Sequence, residues 1–279
     1  MNPIGIMQGR ISSPQSNRLQ SFPWISWEQE FPNAKAVGLD CIEWLFDAED
    51  YEQNPLWTDE GIKRIKHLIQ LYGVTVQSVC ATYFMARPLF RVSAKEQTAN
   101  EAVLKRLIDQ AAQISVKVIL IPVLENTEIR SNAEADRLEN ALRGCLPVAR
   151  ARGIRLSLET ELPVDSFIAL IERFGDPFLG AYYDIGNATA KGYDLAHDIR
   201  ALGSAIYGLH IKDRKLNGPN VFLGQGDVDL TRCFLALQEV KYQGPLILET
   251  AFGADYMRIA AAHRLFVQDH WNEALKQIT

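Results

Sequence analysis

The chain has 279 residues, 47% of them hydrophobic and 23% charged, with a formal net charge of −5 at pH 7. That length suits two ordinary domains or one α/β barrel, and the hydrophobic fraction supports a large core. Charges of both signs are mixed along the chain and the longest apolar runs are too short to cross a bilayer, so neither a nucleic-acid nor a membrane partner is expected.

Cys41, Cys80, Cys145 and Cys233 are far apart and form no CxxC pair. They read as reduced, mostly buried thiols. With no targeting segment at the start, a cytoplasmic location is expected.

In chain order, Ile4 to Gln8 reads as a first strand, broken into a loop from Gly9 to Pro14. A helix is expected from about Ser26 to Ala36, with Ser26 and Gln29 as a capping box and Gly38 as its stop. Cys41 to Phe46 forms a second strand, and Thr58 caps a helix that runs to Tyr72 and stops at Gly73. The β-branched run Val74 to Ala81 is a third strand. Ser93 starts a helix to about Ile114, and Lys117 to Pro122 is a fourth strand, with the proline at its end where no ladder donor is lost. A helix from Asn132 to Arg152 should be bent or interrupted at Pro147.

Four further apolar runs, ending at Glu159, Asp184, His210 and Glu249, each deliver a metal-capable side chain at a strand's C-terminal end. The ends are 25, 26 and 39 residues apart, room for one helix and short loops each time. Helices fill about Val164 to Phe174, Thr189 to Leu202, Leu230 to Val240 (N-capped by Asp229) and Asp255 to Lys276. Eight strand–helix alternations over residues 1–279 favour one (β/α)8 TIM barrel over an open sheet, and no Gly-rich dinucleotide fingerprint follows the first strand. In a parallel barrel all strand ends open on one face, so the four side chains are expected to converge on one ion. Three carboxylates and an imidazole suit Mn²⁺, Mg²⁺ or Co²⁺, with Zn²⁺ as a further candidate. Read singly, each would be a salt-bridge partner or a helix cap. A buried trio of carboxylates without a cation would repel itself, which favours a site.

Tyr183-Asp184-Ile185-Gly186-Asn187, His210-Ile211-Lys212-Asp213, Gly224-Gln225-Gly226-Asp227-Val228-Asp229 and Leu248-Glu249 resemble the signatures of the xylose-isomerase-like TIM-barrel superfamily, and within it the sugar-phosphate isomerases and epimerases. The resemblance implies Glu159, Asp184, His210 and Glu249 as ligands of a divalent cation, with Mn²⁺ expected first, and Glu159 and Glu249 as an acid/base pair. It also implies proton abstraction beside a ketose carbonyl through an enediolate, with 3-epimerisation as the expected outcome and a homodimer as the superfamily's assembly. An inosose-dehydratase-like lyase and a non-catalytic sugar-binding barrel stay open beside it.

Substrate contacts are expected at Gln8, Arg10, Glu43, Tyr83, Asn187, Lys212 and Arg214, with a structural role for Glu43 and a loop salt bridge for Arg10 as the alternatives. Trp24, Trp44, Tyr83 and Phe84 are candidates for the pocket wall. His67, His197, His263 and His270 fall on predicted helices, away from the strand ends. The superfamily's DNA-repair branch, endonuclease IV, carries extra histidines where this chain has Cys80-Ala81-Thr82 and Pro122-Val123-Leu124. Asn187 stands where that branch and the non-phosphorylated ketose 3-epimerases have another. These departures speak against a three-metal hydrolase and put a free ketohexose in doubt.

Overall fold

Aliphatic runs buried on both faces form parallel strands, and amphipathic segments between them form helices that cover the outside. In the computed structural model, which describes residues 2–13 and 20–278, the strands are β1 (Ile4–Met7), β2 (Cys41–Leu45), β3 (Thr75–Cys80), β4 (Val118–Val123), β5 (Arg155–Thr160), β6 (Leu179–Asp184), β7 (Ile206–Ile211), β8 (Asp213–Arg214), β9 (Asn220–Val221) and β10 (Leu246–Leu248). All but β8 and β9 close into a parallel barrel in the order β1-β10-β7-β6-β5-β4-β3-β2. The expected (β/α)8 barrel is therefore the fold.

The helices are α1 (Glu30–Val37), α2 (Asp59–Tyr72), α3 (Tyr83–Ala86), α4 (Ala94–Gln113), α5 (Asn132–Arg143), α6 (Leu146–Arg152), α7 (Val164–Glu172), α8 (Ile185–Ala190), α9 (Leu195–Leu202), α10 (Leu230–Glu239) and α11 (Tyr256–Ile278). Several sequence signals act as expected. Thr58 accepts from Gly61 N to cap α2, Ser93 and Glu96 form a capping box on α4, and Asp229 accepts from Arg232 N to cap α10. The expected break at Pro147 falls at Gly144–Cys145, and the proline sits in the first turn of α6, where its missing N–H costs nothing.

Three expectations change. Ser26 and Gln29 form no capping box: Gln29 is itself helical and makes no side-chain cap, so α1 begins only at Glu30. The helix expected from Thr189 to Leu202 is two pieces, because Asp184 caps α8 directly by accepting from Asn187 N at 2.8 Å. Pro122 lies within β4, not at its end, opposite Glu159. The short antiparallel ribbon β8–β9 has no counterpart in the sequence reading. Pro14, read into the first loop, lies outside the described residues.

Glu30 shows how the scaffold fixes a loop at the site end of the barrel. Its Oε1 accepts from Gly9 N and from Ser12 Oγ, both at 2.8 Å, and so holds the turn that carries Arg10. Burial pushes its carboxyl up to about 7, against the pull of Ser12 and the Gly9 and Ile11 backbone. A carboxyl raised in the folded state contributes stability that is complete below its unfolded value and is lost as pH rises through the folded one. Between pH 4.5 and 7 this group should therefore remove at most about 3 kcal/mol from the folded state. Urea unfolding at pH 5 and pH 8 is expected to show a larger loss for the native chain than for Glu30→Gln; equal losses would contradict the assignment.

Candidate metal and acid–base site

Glu159 in β5, Asp184 at the end of β6, His210 in β7 and Glu249 just after β10 reach the same end of the barrel, because parallel neighbours in register end together. One ligand atom from each lies within 4.8 Å of the others, and all four residues are buried. His210 Nδ1 lies 3.0 Å from Glu249 Oε2, 3.7 Å from Asp184 Oδ2 and 3.9 Å from Glu159 Oε1. None of these contacts has hydrogen-bond alignment, so this buried nitrogen is left without a hydrogen-bond partner.

The ring is turned that way by Glu43. His210 Nε2 lies 2.6 Å from Glu43 Oε2; with Nε2–H donating there, loss of the Nδ1 proton would present that nitrogen's lone pair to the carboxylates. Glu43 is held in turn by Ser78 Oγ at 2.7 Å and Tyr182 OH at 2.5 Å, both donating to Oε1. Burial disfavours a charged ring, but Glu43 and the neighbouring Tyr182 and Glu249 outweigh it and raise His210 well above the usual histidine value.

Lys212 supplies the one ammonium among the acids, 2.7 Å from Asp184 Oδ2 and 3.0 Å from Glu249 Oε2. It lies there because position 186 is glycine: a Cβ on Gly186 would stand 2.2 Å from Lys212 Cγ. Counting Glu43 with Glu159, Asp184 and Glu249, four carboxylates face the Lys212 ammonium and the Arg10 guanidinium, so two formal negative charges remain, the charge of a single divalent cation. The donor set, the unpaired Nδ1 and this charge deficit all fit such an ion held by Glu159, Asp184, His210 and Glu249.

The two glutamates are tuned in opposite directions. Burial pushes Glu159 up to about 7. Burial also pushes Glu249 up, but Lys212, His210 and Arg10 outweigh it and hold that carboxyl well below the usual range. Arg10 Nη2 is 3.8 Å from Glu249 Oε1, and its guanidinium stacks on Phe252. Gln20, which no motif pointed to, donates its amide to the same Glu249 oxygen.

A cavity of about 480 Å³ opens over the cluster, lined by Glu159, Asn187, His210, Lys212, Arg214 and Glu249 among others. Asn187 spans two of the expected contacts, donating Nδ2–H to Glu159 Oε1 at 3.2 Å and accepting from Arg214 Nη1 at 2.9 Å. Arg214 is further pinned by Gly218 O. The β8–β9 ribbon that carries Arg214 is closed by Asp213, whose carboxylate accepts from the backbone of Gly224, Gly226 and Val228. Gly226 packs so tightly on that carboxylate that a Cβ would meet it at 1.8 Å, so the glycine-rich loop serves this turn.

Gln8, Arg10, Glu43 and Tyr83 do not line the cavity. Gln8 Oε1 accepts from Leu45 N and ties β1 to β2, and Glu43 is committed to His210. The chain after β3 coils into α3, which turns Tyr83 and Phe84 inward onto Phe46 and Tyr51, leaving Thr82 and Met85 on the cavity side. Trp44 is core, bonded to Asn54, and Trp24 packs on Phe22. Of the remaining histidines, His263 is buried against Thr250, which lowers it to about 4 through burial.

The model of a family described as xylose isomerase-like TIM barrel matches residues 31–266. L-ribulose-5-phosphate 3-epimerase UlaE of Escherichia coli (strain K12) is 26% identical over 234 residues, 80% of this chain and 81% of that protein. Among solved structures, an L-ribulose 3-epimerase superposes with a TM-score of 0.81 at 20% identity, covering 100% of this chain and 97% of the other. A D-psicose 3-epimerase with D-tagatose from Clostridium cellulolyticum H10 gives a TM-score of 0.79 at 16% identity, covering 96% and 99%. Among the described residues no helix is long and apolar enough to cross a membrane.

If Glu43 orients the imidazole, Glu43→Gln should weaken Mn²⁺ binding by roughly 10- to 100-fold, the usual cost of losing such a partner. Calorimetric titration measures it, and unchanged affinity would show that His210 is aligned without Glu43.

Proposed function

Because the chain belongs to the xylose isomerase-like TIM-barrel family, we propose that it is a metal-dependent sugar epimerase that inverts C3 of a ketose, with a sugar phosphate as the substrate class. The observation that carries this reading is the pair Glu159 and Glu249, contributed by strands on different sides of one buried donor cluster. The 3-epimerases among its relatives and structural neighbours support it.

A divalent cation, Mn²⁺ in this proposal, held by Glu159, Asp184, His210 and Glu249 would supply Lewis-acid stabilisation of the negative charge that develops on the ketose oxygens. The chain's own residues handle the proton. One glutamate removes it from C3, giving the enediolate, and the other returns a proton to the opposite face, so the stereocentre inverts. Lys212, fixed between Asp184 and Glu249, keeps positive charge beside the developing oxyanion. Asn187 holds Glu159 in place, and Arg214, half-buried at the cavity mouth, is assigned to the phosphate.

Positioned acid/base groups of this kind are worth about 10²- to 10⁴-fold. Glu159→Gln and Glu249→Gln should each slow Mn²⁺-dependent deuterium incorporation at C3 of L-ribulose 5-phosphate by that factor, with unchanged circular dichroism. Native rates in either variant would remove the two-base assignment. A dehydrated product would mark a lyase instead, and no exchange by the native chain over a panel of ketoses and their phosphates would mark a binding protein.

A further inference from the structure

The barrel has a second cavity, at the end away from the acid–base site. It measures about 640 Å³ and is formed at the starts of β4, β5 and β7 and in the segment that leads into β10. That is within the range of small-molecule sites, on the barrel face that ordinarily serves stability alone.

Its charge is one-sided. Lys117, Arg155 and Lys241 line it and no carboxylate does, although the chain carries a net charge of −5. Lys117 and Arg155 come from adjacent strands, the Arg155 N–H donating to Lys117 O at 2.9 Å, and Lys241 comes from the far rim before β10. The Arg155 guanidinium stacks on the Tyr207 ring at 4.6 Å, which fixes its plane while its N–H groups stay accessible. None of the three cations has a carboxylate partner among the ion pairs of the described residues.

Tyr182 separates this cavity from the acid–base site. Its ring fills the space left by Gly208, where a Cβ would come within 2.1 Å of it, and packs at a tilt of 54° against the His210 ring, centroids 4.5 Å apart. Its hydroxyl and that of Ser78, both part of the lining, are committed to Glu43. A ligand here is therefore held by the cationic rim and not by the floor.

We propose that this cavity is an anion site for a small phosphorylated metabolite, separate from the substrate pocket. Two ammonium groups and a guanidinium lining one cavity without a carboxylate supply the charge that a phosphoryl dianion needs, and a planar guanidinium can engage two of its oxygens at once. The remaining volume, bordered by glycine backbone at positions 153, 203, 208 and 244, accommodates the rest of the molecule.

The probe is inorganic phosphate, titrated calorimetrically into the full chain without added metal, with Arg214→Ala titrated alongside to subtract any binding at the substrate pocket, so that failure here and failure of the epimerase reading are distinguishable. The native chain is expected to bind it with a dissociation constant on the order of millimolar or tighter. The combined variant Lys117→Ala, Arg155→Ala, Lys241→Ala is expected to bind at least tenfold more weakly. These side chains are exposed, so the variant should keep its fold, which circular dichroism verifies. No binding by the native chain at tens of millimolar phosphate would overturn the proposal. Equal binding by the variant would also overturn it, since the ion would then be held elsewhere.

Discussion

Three carboxylates brought together under a few per cent exposure cannot all stay ionised without compensation. This constraint explains most of what surrounds Glu159, Asp184 and Glu249. Lys212 answers two of them directly, and Arg10 and Gln20 converge on Glu249 from the loop after β1. Glu159 receives the Asn187 amide and no cation as near as Lys212 is to the other two, and burial holds its proton up to about 7. The remaining charge deficit falls where His210 Nδ1 has no partner. The electrostatic strain of the site and the geometry of its donors thus point to the same missing charge.

The scaffold keeps that arrangement in place by capturing carboxylates with backbone and hydroxyl donors. Glu30 gathers the turn after β1, Asp184 caps α8 with one oxygen and keeps the other for the cluster, and Asp213 closes the loop behind Arg214. Glu43 does the same for an imidazole. Glu30 and Asp213 thus act through the backbone they hold, and Asp184 does so while keeping one oxygen for the cluster.

Much of this was legible in advance for a physical reason. Strand ends in a parallel barrel share a face, so residue type at the end of each apolar run was enough to single out Glu159, Asp184, His210 and Glu249. Glycine stops and N-caps likewise act locally, which is why α2, α4 and α10 began where the sequence placed them. What escaped depends on contacts distant in the chain. Gln20 meets Glu249 across 229 residues, a role that leaves no local spacing; Glu43, read as a substrate contact with a structural role as the alternative, takes the structural one by meeting His210 across 167 residues. Tyr83 misled because a loop aromatic was expected at a pocket wall, whereas one turn of α3 suffices to send it into the core. The split between α8 and α9 could have been found: Asp184 three residues before Asn187 is a capping pattern, masked by its more obvious reading as a ligand.

That double use of Asp184 bears on how the site and fold depend on each other. Its Oδ1 is fixed by the first turn of α8, so its Oδ2 can face the cluster only if that helix starts immediately after β6. The immediate start places Gly186 against Lys212 and Asn187 against Glu159, so one turn sets the positions of Asp184, Lys212 and Glu159 at once. The sequence Asp-Ile-Gly-Asn is thus a geometric requirement: the aspartate caps, the glycine admits the lysine stem, and the asparagine bonds the acid of the adjacent strand. A side chain at position 186 or a longer β6–α8 connection would leave all four cluster residues present in the sequence while dissolving their common centre.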